Sequence, residues 1–340
     1  MSSGDDSEQI VAAVEEAYRE DRCIAIMGHG SKPNTTATGD AFVCTADHSG
    51  ILEYRPSELV VSVRAGTPLK ELNDELARNG QMIAPDPPIF NQRGTVGGAV
   101  ASGLSGPGRP WYGSLRDCVL GVEVINGLAQ RLNFGGRVIK NVAGFDVSRL
   151  YTGSWGTFGV ILSASFKLLP MPEVSFTVEE ECSDIDAFQK LADHRRERTT
   201  LTGTCHFQGR LFRRFAGAES AVRSETDALE NCELNDTFSW ADVRDHELSF
   251  FQDDMPLWRA TFDRGEFFEN VDDLSSLSEW YGSLAWIKTP TETPPSVRGT
   301  NIQVSAFRNA VATKRSVTKY ASRLRKAFDP KGIFNPHIVV

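Results

Sequence analysis

The sequence has little cysteine and none of it clustered. Its six cysteines, Cys23, Cys44, Cys118, Cys182, Cys205 and Cys232, are scattered and form no CxxC pair. That argues against a disulfide framework and against a cysteine-held iron–sulfur cluster in this chain. No apolar run approaches the roughly 20 residues that a membrane helix needs. The opening stretch MSSGDDS (1–7) is acidic and has neither a basic n-region nor a long apolar segment, so it does not read as a secretory signal. Positive charge is not in excess either: 36 Lys and Arg face 45 Asp and Glu, a net charge of −9. No basic footprint therefore argues for nucleic acid or for an anionic membrane surface, and a small anion would need a local pocket. Internal repeats, low-complexity tracts and compact His/Glu clusters are missing. His194, His206, His246 and His337 stand far apart, and no metal site is expected from that spacing. No GxGxxG follows a strand and opens a helix with an acidic residue some 20 positions on, which weakens a Rossmann nicotinamide reading. The expectation is a cytoplasmic chain without direct membrane insertion, peripherally attached at most through partner subunits.

What is present is glycine in a few dense groups. The chain has 340 residues, 40% hydrophobic and 24% charged, enough for a sizeable core and two domains. Four short signals crowd into residues 91–169: NQRGTVGGAVASG (91–103), RDCVLGVEVI (116–125), KNVAGFD (140–146) and GSWGTFGVI (153–161). A further turn, GHGSK (28–32), follows the apolar run CIAIM (23–27). Glycine permits close approach of a backbone to a ligand and positive φ. Successive amides in such turns form a nest for an anion, and a dinucleotide pyrophosphate is the natural candidate.

The periodicity predicts a helix over 7–21, capped by Ser7, and a strand over 23–27. It predicts a strand over 59–64 and a helix over 68–79 with Thr67 as N-cap, Pro68 at the first position and Gly80 as the stop. A strand over 118–125 turns at Asn126-Gly127 into a strand over 130–134. Residues 158–168 read as one or two strands, and Pro170 and Pro172 mark a boundary. Beyond it the pattern alternates, with strands at 175–180, 201–207 and 283–288 and helices at 184–194 and 218–230. An amphipathic helix over 313–328 leads to the closing FDPKGIFNP (328–336).

These motifs resemble the PCMH-type, or vanillyl-alcohol oxidase, flavoprotein family. GHGS (28–31) is similar to its first pyrophosphate loop, and GTVGG (94–98) with Ala101, Ser102 and Gly103 to its second phosphate-contacting segment. GSWGTFGVI (153–161) is similar to its GSEGTLGVI strand, and FDPKGIFNP to its carboxyl-terminal signature. Within that family KNVAGFDVSRL (140–150) and the short cap most resemble the E subunits of glycolate oxidases. The resemblance implies an α+β fold: a PCMH-type FAD-binding domain of two α+β subdomains over 1–172, a smaller α+β cap for substrate or partner over 173–310, and a C-terminal helix and tail over 311–340 returning to the FAD domain. It implies FAD held by Gly28, His29, Gly30, Ser31 and Lys32; by Gly94, Thr95, Gly97, Gly98, Ala101, Ser102 and Gly103; by Lys140 and Asn141; and by Gly159, Val160 and Ile161. Backbone amides of Gly28, Gly30, Gly97 and Gly98 are expected to face the pyrophosphate, and Ser31, Thr95 and Ser102 to add hydroxyls. His29 matches the middle glycine of the loop and not the flavin-linking histidine of some relatives, so the FAD is expected to be non-covalent.

The activity implied is FAD-dependent oxidation of glycolate or D-lactate, a small 2-hydroxy acid, beside a catalytic flavoprotein D subunit and an iron–sulfur subunit. Oxidising such a substrate needs a carboxylate clamp and a base for the hydroxyl proton. Arg210, Arg213 and Arg214 are candidates for the clamp, against the plainer reading of a solvated cluster. The Asp146–Arg149 and Arg116-Asp117 pairs read as structural, and no residue stands out as the base. Two other readings stay open: a self-sufficient 2-hydroxy-acid dehydrogenase, and a non-catalytic flavoprotein scaffold.

Overall fold

The computed structural model describes residues 4–32, 39–136, 146–194, 199–262, 275–297, 302–310, 319–336 and 338. Lys140 and Asn141 lie outside them. The chain divides into two units: Met1–Ser105 with Gly113–Met171 and Lys314–Val340, and Gly106–Tyr112 with Pro172–Thr313. Both units mix helix and sheet, the α+β character implied by the resemblance.

The first unit is built on an antiparallel sheet in the order Ile51–Arg55, Val60–Arg64, Val160–Lys167, Val119–Ile125, Arg131–Gly135. Val160–Lys167 is buried along nearly its whole length because both faces of the sheet are covered. Successive side chains of a strand point to opposite faces. Val160 and Leu162 accordingly pack with Ile10, Val14, Ile24 and Phe334, and Ile161 with Leu72, Leu76, Val96 and Val100; a register shift opposite Glu123 and Val124, which skips Leu162, returns Ala164 to the face of Ile161. A separate parallel pair, Ile24–Met27 with Ala41–Cys44, lies on the first of these faces.

Local chemistry moves some expected boundaries. The first helix runs Ser7–Glu20, and Ser7 does not cap it; its amide is taken by the Asp5 carboxylate at 3.1 Å. The second runs Leu69–Arg78 with Pro68 in the cap position. The Thr67 hydroxyl instead accepts the Gly50 amide at 2.8 Å, so it ties two loops together. The Asn126-Gly127 turn is longer than a two-residue hairpin. The Asn126 side-chain oxygen accepts the amides of Leu128 and Gln130, and Gly127 donates to Phe328 O at 2.8 Å. A Cβ on Gly127 would stand 2.6 Å from the Asp329 carboxylate.

The second unit carries, among the described residues, an eight-stranded antiparallel sheet with Glu233–Leu234 and Gln303–Arg308 at its edges. The arginines of its Arg210–Gly217 strand differ in setting: Arg210 is exposed, Arg214 half-buried and Arg213 buried. Arg213 is 3% exposed and pairs with the equally buried Glu180 at 2.9 Å. Arg210 pairs with Glu179 at 2.6 Å, and Arg214 lies 5.1 Å from the Trp240 ring centroid and donates to Thr202 O. The Asp146–Arg149 ion pair forms at 2.8 Å in the first unit, and Asp117 closes a capping box with Ser114. His206 contacts Cys182 O through Nε2 at 2.9 Å, and His246 stacks on Phe251. Each histidine thus has a packing role in a different part of the sheet.

Glu279, at the end of the Ser276–Glu279 strand, is 4% exposed and accepts the Trp286 indole N–H at 2.8 Å. Burial pushes its carboxyl up to about 7 from the usual 4.5, against the lowering effect of that hydrogen bond and of Arg259 and Arg214. The folded state therefore holds this proton more tightly than the unfolded chain. Its contribution is fully present below about 4.5 and is lost as pH rises through about 7. Urea unfolding at acidic and at mildly alkaline pH should show a loss on the order of 3 kcal/mol across that window. Glu279→Gln should remove it. An unaltered difference in the variant would exclude Glu279 as its source.

Candidate functional site

A cleft of ≈ 870 Å³, including its open mouth, lies in the first unit. That is within the range of ligand pockets. Four segments wall it, from opposite ends of the chain.

The first is the loop that leaves the Ile24–Met27 strand. That strand is fixed on both edges: Ala41–Cys44 pairs along one, and on the other Ile24 exchanges backbone bonds with Ile333 O (2.7 Å) and the Asn335 amide (3.0 Å). Gly28, His29, Gly30, Ser31 and Lys32 all line the cleft. Gly30 takes φ +63°, and its missing Cβ would meet no described atom within 4 Å. Among the described residues the amides of Gly28, His29, Gly30 and Ser31 donate to no other group. Gly28, His29 and Ser31 are half-buried and Gly30 is exposed, so these amides are open to water or to a ligand in the cleft. Four successive donors at the wall of a cleft fit an anionic ligand.

The second segment is the turn into the Val96–Ser102 helix. Thr95, Gly97, Gly98, Ala101 and Ser102 line the cleft. Their amides have a different use from the one expected. Gly97 donates to Ala65 O at 2.7 Å, and Gly98 donates to the Thr95 side chain at 3.2 Å, capping the helix. The Ser102 hydroxyl donates back to Ala99 O. Gly97 is small for packing, since a Cβ there would stand 2.8 Å from the Ala65 Cβ. This segment therefore shapes the cleft, and the first loop supplies the free amides. Gly94 and Gly103 stand off the cleft. Gly94 packs on the Ile89 backbone, and Gly103 ends the helix in the left-handed region against Gly153.

Lys32 places its ammonium 3.5 Å from Pro88 O and 5.5 Å from the Phe90 ring centroid, near the Cβ position of Gly98. The segment that receives it is strained. Phe90, Asn91 and Gln92 take φ of 31°, 54° and 56° in succession. For L-residues this costs roughly 1–2 kcal/mol each, and such strain persists only where the surroundings enforce it.

The third wall is the turn before the Val160–Lys167 strand. Gly159 and Ile161 line the cleft, whereas Val160 faces the other core. The pleat decides between them. Trp155 and Gly156 also line it. They sit inside the GSWGTFGVI motif, yet sequence reasoning did not select them. The fourth wall, Asn335 with Ile338, comes from the carboxyl-terminal tail, and Ile26, Met27 and Thr45 complete the lining. The signal for Asn335 was the closing FDPKGIFNP, which marks the segment but not the residue. Adjacency to the first loop was the only signal for Ile26 and Met27, and Thr45 had none.

Asn335 is 5% exposed. Its side-chain oxygen accepts the Ile26 amide at 3.1 Å and its NH2 donates to Trp155 O at 2.7 Å. The Asp329 carboxylate folds the tail beneath it by accepting the amides of Ile333 (3.0 Å) and Phe334 (2.9 Å). One amide thus ties the first wall to the third and is itself part of the fourth.

Residues 4–135 match the family model described as FAD binding domain. The sequence is 35% identical to the glycolate oxidase subunit GlcE of Escherichia coli (strain K12), over 98% of this chain and 97% of that protein. Shorter stretches match the glycolate oxidase subunit GlcD of Bacillus subtilis (strain 168), at 32% over 48% of this chain and 36% of that one. The D-lactate dehydrogenase of Archaeoglobus fulgidus matches at 30% over 48% and 37%. Among solved structures, an alkyldihydroxyacetonephosphate synthase shares the fold, with a TM-score of 0.67 at 14% identity, over 96% of this chain and 73% of that one.

Asn335→Ala should leave the part-buried Ile26 amide and Trp155 carbonyl without their side-chain partner and lower stability by about 1–3 kcal/mol. Urea denaturation measures this. A variant as stable as the parent would show that the bridge does not hold these walls.

Proposed function

This chain belongs to the glycolate oxidase subunit GlcE family, and we propose that it is the FAD-holding subunit of a complex oxidising glycolate or D-lactate to the 2-oxo acid. The observation that carries the reading is the row of amides from Gly28 to Ser31, without an acceptor among the described residues, in a loop that lines a cleft. A pyrophosphate is an acceptor for several such donors at once, and a nest of amides binds it without a charged side chain. The shape of the remaining walls supports the same reading. Gly97 and Gly98 keep the second segment low, and Ile161 and Trp155 offer apolar surface to a ring system. When bound, FAD supplies the hydride acceptor for a C–H bond adjacent to a hydroxyl. The chain's part is to hold the cofactor, to fix its phosphates at the first loop and to keep water from the apolar part of the cleft.

The finer assignment has two parts. The FAD is non-covalent, because His29 sits within the phosphate-facing loop and the lining offers its backbone as the principal donor. The electrons leave through partners, a catalytic flavoprotein D subunit and an iron–sulfur subunit. The near-complete match to a protein described as an oxidase subunit supports this, while the dehydrogenases it resembles match over only about a third of their length. We assign the cap segment 173–310 to contact with substrate or partner.

The purified chain should show the visible absorption of bound flavin. Heat or acid denaturation should release all of it into the supernatant. Glycolate added anaerobically to the chain alone should leave the bands in place, and the assembled complex should bleach them. Bleaching by the chain alone would instead identify a self-sufficient dehydrogenase. Gly30→Asp, which puts a carboxylate beside the free amides, should abolish flavin content while circular dichroism stays that of the parent. Full flavin in that variant would refute the phosphate site.

A further inference from the structure

The helix Lys319–Phe328 in the first unit has no buried residue. Its ten residues fall into parallel rows at helical spacing. The inward row is Ala321, Arg325 and Phe328, each half-buried. Arg325 donates to Phe334 O at 2.8 Å, to Ile338 O at 3.2 Å and to Asn335 O at 3.4 Å. Phe328 packs edge-on to Tyr151 and Phe134. This row therefore braces the tail that forms the fourth wall of the cleft.

A second row, Tyr320, Leu324 and Ala327, is turned to solvent. Tyr320 is 75% exposed and Leu324 38%. Beside it runs a third row, Lys319, Arg323 and Lys326, all exposed and without an ion pair among the described residues. Elsewhere on this acidic chain basic side chains are commonly paired: Arg22, Arg55, Arg64, Lys70, Arg78 and Arg131 all meet carboxylates. Three free cations in one row, next to an aromatic and an aliphatic side chain, mark the surface of a helix that lacks its acidic complement. Interfaces are enriched in tyrosine at their centres and charged at their rims.

We propose that this outward face is the docking surface for another subunit of the complex, through an apolar groove on that subunit bordered by aspartate and glutamate. This rests on the subunit reading given above and names the surface through which it is realised. Charge complementarity selects the occupant. The row of Lys319, Arg323 and Lys326 is locally basic, and within a Debye length of about 8 Å it meets carboxylates at the rim of a groove favourably, whatever the net charge of the chain. The apolar row is one tyrosine, one leucine and one alanine. It is short for a bilayer anchor and of the right size to fill a groove. Docking would bear on the helix whose opposite row holds Asn335 and Ile338 against the cleft.

The test is co-expression of the full chain with the other subunits of its complex, followed by co-purification and measurement of affinity. The parent chain should co-purify, and its affinity should fall with added salt. Leu324→Ser with Tyr320→Ser, and separately Lys319→Glu with Arg323→Glu and Lys326→Glu, should each weaken association about tenfold or more. Flavin content and circular dichroism of both variants should match the parent, because neither row touches the tail. Parent-like affinity in both variants would overturn the proposal while leaving the subunit reading intact. A parent chain that associates with no other subunit would overturn both. Phosphatidylcholine vesicles containing phosphatidylglycerol are the further probe: if the parent binds them, the variants do not, and subunit association is unchanged, the face belongs to a membrane and the proposal fails.

Discussion

The cleft exists because the chain's end returns to its beginning, and one side-chain amide makes that return specific. Asn335 bonds the Ile26 amide across 309 positions and the Trp155 carbonyl across 180. A hydrophobic residue of the same size could fill the space but could bond neither part-buried group, and a polar group left without its partner costs more the less water reaches it. The geometry of the tail follows from this. Asp329 accepts two amides to fold it, Phe334 is fully buried among Ile10, Val14 and Ile24, and Arg325 fastens its carbonyls to the last described helix.

Charge is handled differently at the cleft and in the second unit. At the cleft the donors left without an acceptor among the described residues are main-chain amides of Gly28–Ser31, and Lys32 is turned toward Pro88 O and the Phe90 ring. Amides carry no net charge to desolvate and are placed by the backbone alone, so an acidic protein can keep an anion site without a basic patch. In the second unit the sheet buries full charges. Arg213 and Glu180 are both almost inaccessible, and burial lowers the arginine's hold on its proton. Such pairs contribute little net stability but are costly to break singly. They fix the register of neighbouring strands more than they strengthen them.

The sequence was legible in placement, though not in ligand role, where a motif and its local periodicity coincide. The first loop, most of the second segment, Gly159 and Ile161 all line the cleft, and the helices Asp184–His194 and Glu219–Asp227 fall close to where spacing put them. It read poorly where a partner far along the chain decides. Val160 and Ile161 are neighbours of the same type in a buried run, and only the second core behind the sheet separates them. Thr67 looks like a helix cap, yet the Gly50 amide claims it. Asn126-Gly127 looks like a tight hairpin, yet Asp329 and Phe328 sit against the glycine. Arg213 looks like one of a solvated trio until Glu180 on the paired strand is seen beside it. Gly97 was read for its amide, and its role is the missing side chain.

Cofactor and fold are therefore linked through the same tail. A ligand that binds only the folded state stabilises it by an amount set by its concentration relative to its affinity. Here the groups that complete the cleft, Asn335 and Ile338, are held from behind by Arg325. A ligand in the cleft and a load on the outer face of Lys319–Phe328 would act on one helix from opposite sides. Two sites that bias the same element are coupled reciprocally, whichever is filled first. The extent of coupling depends on how firmly Arg325 transmits a shift of the helix to the tail. Its three carbonyl acceptors are those of Phe334, Asn335 and Ile338, so one guanidinium joins the inward row of the helix to both tail residues that line the cleft.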